Sequence, residues 1–118
     1  MARPTLRLRA PADPPLAVTI RTFVASSSRY LGLEPALCED LRLAANELFT
    51  AAADADGPIL EIRIEGGPDD ATLTVVGVPD LGGSDDLPLT RRDLLMALFP
   101  DLRHDDGTVV IRAASDRS

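Results

Sequence analysis

The stretch "ILEIRIEGGPDDATLTVVGV", Ile59 to Val78, decides the fold class of this chain. Leu60, Ile62 and Ile64 alternate with Glu61, Arg63 and Glu65, the period of two that a strand shows when one face is buried and the other wet. "GGPDD" supplies turn residues, and beyond it Leu73 and Val75 alternate with Thr72 and Thr74. The segment therefore predicts a β-hairpin with one solvated face.

Upstream, the period changes. Leu37, Leu41, Ala44, Leu48 and Ala52 recur at spacings of three and four, which predicts a helix opened by Pro35, running to Ala55 and ended by Asp56-Gly57. Leu16, Ile20, Phe23, Val24 and Leu31 form the stripe of an earlier helix, with Asp13 placed to cap it, Pro14 and Pro15 in its first turn and Gly32 as its stop. "TLRLRA", Thr5 to Ala10, alternates apolar with basic and predicts an edge strand. Downstream, Pro79 to Pro88 reads as a glycine- and acid-rich loop, long enough to suspect a lid or binding loop. Thr90 and Asp93 resemble a capping box before a short helix, "RRDLLMALF", which Pro100 stops. "DDGTVVIRAA" gives a turn and a last strand, and residues 116–118 a frayed tail. The order strand, helix, helix, hairpin, helix, strand predicts one domain over residues 1–118. Its class is an α/β (α+β) two-layer sandwich: a mixed, mostly antiparallel sheet with helices on one face.

Bulk composition narrows the function. Twelve basic residues against 19 acidic give a net charge of -7, which argues against binding a nucleic-acid backbone. A single cysteine makes no internal disulfide and fits a reducing compartment. No apolar run reaches the roughly 20 residues of a membrane helix, and the first residues do not read as a signal peptide, so the expectation is a cytoplasmic protein. Cys38 lies near the buried stripe and reads as a small hydrophobe. His104 falls in a predicted turn with no partner at metal-ligand spacing and reads as a surface residue. Arg91 and Arg92 oppose the dipole of their helix, which favours pairing with neighbouring acids. No Walker-type loop, dinucleotide fingerprint or catalytic triad can be assembled.

Three stretches carry a family likeness: "LRLAANELFTAAADADG" (41–57), "DDATLTVVGVPDLGG" (69–83) and "LLMALFPDLRHDDGTVVIRA" (94–113). With the order of elements, they resemble the histidine-kinase-like ATPase (Bergerat) fold of the GHKL superfamily, and within it the compact anti-sigma-factor serine kinases. The resemblance implies that Glu47 orients or activates a group near the phosphates of ATP. It places the family's magnesium-binding Asn at Ala51, whose methyl group cannot ligate Mg²⁺. The adenine-binding Asp of the family falls on Pro79. Shifted by one residue it falls on Asp80, in "DLGG", with Gly82 and Gly83 as the glycines that let backbone approach a nucleotide. The glycine-rich lid corresponds to "GGSDDLPLT", where Asp85 and Asp86 would meet the phosphates, and only Gly107-Thr108 matches the final motif cleanly.

The resemblance thus implies a regulatory binding protein with a degenerate ATP site, needing no cofactor and holding no metal. Its implied partners are a sigma factor or a STAS-type anti-sigma antagonist, with a homodimer through the "TLRLRA" edge as a further implication, and with neither nucleic acid nor membrane. The alternative is an active ATP-dependent serine/threonine kinase phosphorylating such an antagonist. It would use Glu47 as catalytic group, with Asp80, Gly82, Gly83 and Thr108 at the nucleotide and Mg²⁺ held by phosphates and water. A third reading is a scaffold that kept only the fold. For Glu47 itself a plainer role stands beside the catalytic one. Asp40, Glu47 and Asp54 recur every seven residues, as a solvated acidic flank would, and Ala51 to Ala53 with Ala55 suit close helix packing.

Overall fold

In a computed structural model, which describes residues 4–55, 58–79 and 91–114, the chain runs β1 (Thr5–Pro11), α1 (Ala17–Tyr30), α2 (Pro35–Asp54), β2 (Ile59–Gly66), β3 (Asp70–Val76), α3 (Arg91–Leu98), β4 (Arg103–Asp105) and β5 (Thr108–Ala114). The hairpin forms as its alternation requires. Ile62 faces Val75 and Ile64 faces Leu73 across β2 and β3, and all four are buried. Asp56-Gly57, Thr90 of the expected capping box and residues 116–118 lie outside the described residues.

The sheet order is β1-β2-β3-β5-β4, and every pairing among the described residues is antiparallel. The expected mixed sheet is therefore corrected to an antiparallel one. The reason is the connection between β1 and β2. Two consecutive helices form a hairpin that returns the chain to the end of the sheet it left, so the next strand must run the opposite way. A single crossover helix would have given a parallel pair.

α1 and α2 pack on one face of the sheet, giving two layers. On α1, Ile20 and Val24 are buried and Phe23 packs against the core, as do Leu16 and the buried Leu31 at its two caps, and Gly32 at φ +87° ends the turn. Asp13 does not cap through its side chain. Pro15 has no N–H to offer it, and the Leu16 N–H bonds instead to the Asp13 backbone carbonyl at 2.8 Å, closing a 3-10 turn over Pro14–Leu16. On α2 the buried face is wider than the predicted stripe. Ala45, Phe49 and Ala51 join Leu41, Ala44, Leu48 and Ala52, because α1, α3 and the sheet all touch this helix. Leu41 and Leu48 are fully covered, each worth about 1.5–3 kcal/mol relative to exposure. No helix among the described residues is long and apolar enough to cross a membrane.

β4 was not foreseen. His104 therefore sits in a strand and not in a turn: the turn is Asp106-Gly107, where φ of +50° and +80° matches the two-residue hairpin loop that suits strand twist. The outer face of the sheet carries no helix among the described residues. Register places Arg7, Arg63, Thr74, Val110 and Arg103 in one row across it, with the row Arg9, Glu61, Val76, Thr108 and Asp105 beside it.

Candidate functional site

Of the predicted site residues, Glu47 and Thr108 are among the described ones, and Thr108 stands at the end of the sandwich where α2 finishes, β2 starts and β3 finishes. The β4–β5 turn folds over this end: the N–H groups of Gly77 and Val78 both donate to the Gly107 carbonyl at 2.9 Å. His104 adds a side-chain tie, with Nε2 3.1 Å from the Val78 carbonyl oxygen. An acceptor there requires that nitrogen to carry the hydrogen. So His104 is a half-buried strut beside Pro79, and not the surface residue the sequence suggested.

Glu47 lies on α2 a quarter exposed, and its Oε2 accepts a hydrogen bond from Arg91 Nε at 3.1 Å. The second arm of the same guanidinium lies 3.7 Å from Asp54 Oδ2, two helical turns further along α2. Arg91 is the first residue of α3, where a cation opposes the helix dipole, and the two carboxylates offset that cost. The seven-residue recurrence on α2 is thus partly explained: Glu47 and Asp54 share one arginine. The pairing expected of Arg91 is present, and its partners come from another helix.

One turn beyond Glu47, Ala51 is 3% exposed and belongs to the core cluster. Its methyl group touches packed apolar side chains, and it offers no oxygen to a metal. Thr108 opens β5 at the same end of the molecule. Since Val109, Ile111 and Ala113 point into the core, alternation turns Thr108 to the outer face, away from α2. Glu47 and Thr108 therefore stand on opposite sides of the sheet. Asp80, Gly82 and Gly83 lie outside the described residues. Among the described residues no group of three or more His, Cys, Asp or Glu side chains is placed to hold a metal.

Three surface concavities are lined by other residues. One of about 570 Å³ runs over the outer face between Thr72, Leu102, Arg103 and Arg112. A second, of about 80 Å³, is lined by Thr5, Arg7, Arg63, Glu65, Thr72 and Thr74. A third, of about 450 Å³, lies over α1 and α2 among Arg21, Arg29 and Arg42. Cys38 is buried, donates weakly to the Leu33 carbonyl at 3.6 Å, and burial pushes its thiol pKa up against the opposing pull of Arg29. That environment suits packing, as its place beside the stripe suggested.

No model of a known protein family matches this sequence, and no curated protein matches it either.

Proposed function

We propose that this chain is a regulatory binding protein of the anti-sigma-factor serine-kinase type whose nucleotide site no longer works. On this reading it acts by contact with a sigma factor or a STAS-type antagonist. The observation that carries the reading is the state of α2. Glu47, where the resemblance puts the catalytic group, has its carboxylate hydrogen-bonded to Arg91, and the position one turn on is a buried methyl group. Phosphoryl transfer depends on positioned charges and metal ions around the phosphates. The carboxylate already accepts a guanidinium hydrogen bond where a general base would have to meet its proton, and Ala51 provides no ligand for Mg²⁺. A helix that keeps its packing face and has lost these groups is suited to hold a binding surface in shape.

Calorimetric titration with ATP and Mg²⁺ tests the nucleotide half of the reading, using the native chain and Ala51→Asn side by side. The expected result is no saturable heat from either protein. Magnesium-dependent binding by the native chain would overturn it and support the kinase reading. Purified sigma factors and STAS-domain antagonists, immobilised in turn, test the other half. Saturable binding to one of them is expected, and the absence of binding to any of them would sink the proposal.

A further inference from the structure

Arg7 and Arg63 lie directly opposite each other on β1 and β2, so folding sets two guanidinium-bearing side chains side by side on the outer face. Like charges in that relation repel, and neither arginine forms an ion pair with a described residue. Arg42 pairs with Glu39, Arg91 with Glu47 and Asp54, and Arg112 with Asp70, whereas Arg9, Arg21, Arg29, Arg92 and Arg103 form no ion pair among the described residues, so what sets Arg63 apart is the burial of its donor. Arg63 is flanked on its own strand face by Glu61 and Glu65, yet bonds to neither. Glu65 instead accepts the Thr5 hydroxyl at 3.3 Å. The Nε of Arg63 is shut off from solvent with no hydrogen-bond partner. Buried donors of that kind are rare and call for a physical explanation.

The space around them is small and polar. The concavity of about 80 Å³ is walled by both arginines, the three hydroxyl-bearing residues Thr5, Thr72 and Thr74, and Glu65. That is room for one small group and far less than the roughly 300 Å³ of a typical ligand pocket. Guanidinium donors beside hydroxyls suit an oxyanion, which a planar arginine fork binds through paired hydrogen bonds. Glu65 in the wall disfavours a phosphate dianion and leaves a singly charged carboxylate as the better match. Thr72 also borders the larger concavity, where Arg103 and Arg112 stand with Asp101. Arg103 shares a row with Arg7 and Arg63, four strand spacings from Arg7. At roughly 4.8 Å per spacing this is about 19 Å, the span of five or six residues of extended chain.

The face carries Arg7, Arg9, Arg63, Arg103 and Arg112 against Glu61, Glu65, Asp70 and Asp105, a near balance with one positive charge in excess, on a chain whose net charge is -7, and the excess is concentrated where Arg7 and Arg63 stand opposite each other. Its described residues include no aromatic side chain, so it lacks the stacking platform by which sheets bind single-stranded nucleic acid. We propose that the outer face of the sheet is a docking site for an acidic protein segment, one carboxylate of which seats between Arg7 and Arg63 against the threonine hydroxyls. A second carboxylate, five or six residues away, lies against Arg103. The site is separate from α2 and stands whether or not the nucleotide reading holds.

The test is fluorescence anisotropy at low salt with a labelled, otherwise neutral peptide carrying two aspartates six residues apart. The same peptide with asparagines and free inorganic phosphate are the other arms. Saturable binding by the aspartate peptide alone is expected, weakened about tenfold by Arg63→Met, the cost of one charge-assisted hydrogen bond. Thermal melting of Arg63→Met should show the fold retained, since the substitution removes an unsatisfied buried donor. Arg7→Ser, on the exposed edge strand, should weaken binding similarly and serves as the second variant. Equal binding of both peptides would overturn the proposal, as would binding unchanged by Arg63→Met and Arg7→Ser, or no binding at all. Competition by phosphate at equal concentration would assign the site to a free anion and likewise overturn the acidic-segment reading.

Discussion

Neutralising Glu47 tests whether that residue is a strut between helices. The Arg91 Nε to Glu47 Oε2 contact of 3.1 Å is made by side chains 28% and 25% exposed. It therefore falls between a solvated ion pair, worth about 0.2–1 kcal/mol, and a sheltered hydrogen bond to a charged group, worth about 1.5–3 kcal/mol. A coupling near 1 kcal/mol follows. Asp54, at 3.7 Å and 70% exposed, adds only a few tenths, roughly, by the same reasoning. A double-mutant cycle of Glu47→Gln and Arg91→Gln, measured by urea unfolding, isolates the pair from its surroundings. For a chain of 118 residues, 1 kcal/mol corresponds to a melting shift of about 4 °C. Arg91→Gln should cost more than Glu47→Gln, because it releases two carboxylates. A coupling energy indistinguishable from zero would refute the reasoning and leave the Glu47 carboxylate free for another duty.

Two further outcomes are expected. Gly66→Ala should cost about 3 kcal/mol or more, read from the urea midpoint, because φ is +152° there and an added Cβ would lie 2.3 Å from the Asp70 carbonyl oxygen; an unchanged midpoint would show that the turn after β2 differs. The Cys38 thiol has its pKa raised by burial, so the folded state holds that proton more tightly than the unfolded chain does. The associated stability is fully present below the ordinary thiol value of about 8.5 and is lost as pH rises through the folded value. Stability of the native chain should fall more steeply than that of Cys38→Ala in this alkaline window, and parallel curves would contradict the assignment.

Local patterns carried most of the fold. Alternation located β1, β2, β3 and β5, and the three-four spacing placed α2 to within a residue of its observed end, because each pattern is imposed by burial of a single face. What escaped was decided by distant partners. β4 is three residues long and exists because β5 pairs with it, so "RHD" shows too short a period to read. The failed Asp13 cap was partly legible, since Pro15 removes one of the two donors a cap can use, while the other, the Leu16 N–H, is taken by the Asp13 backbone carbonyl. The site was less legible. Arg91 and Glu47 are far apart in sequence, and only packing of α3 beside α2 joins them. Thr108 was within reach: if Val109 and Ile111 face the core, Thr108 faces away from the helices. The outer arginines were visible in "TLRLRA" and "EIRIE", but their opposition in register appears only once β1 meets β2.

The order β1-β2-β3-β5-β4 also has a kinetic meaning. The α1–α2 pair, the β2–β3 hairpin and the β4–β5 hairpin each close between sequence neighbours, at small entropic cost. β1–β2 and β3–β5 are different, because whole helices intervene between the paired strands. Such a non-local pairing lags behind local ones during folding. The strand that carries Arg7 and Arg9 is joined to the sheet by its longest-range pairing, so the arginine row of the outer face is complete only when the slowest class of contact has formed.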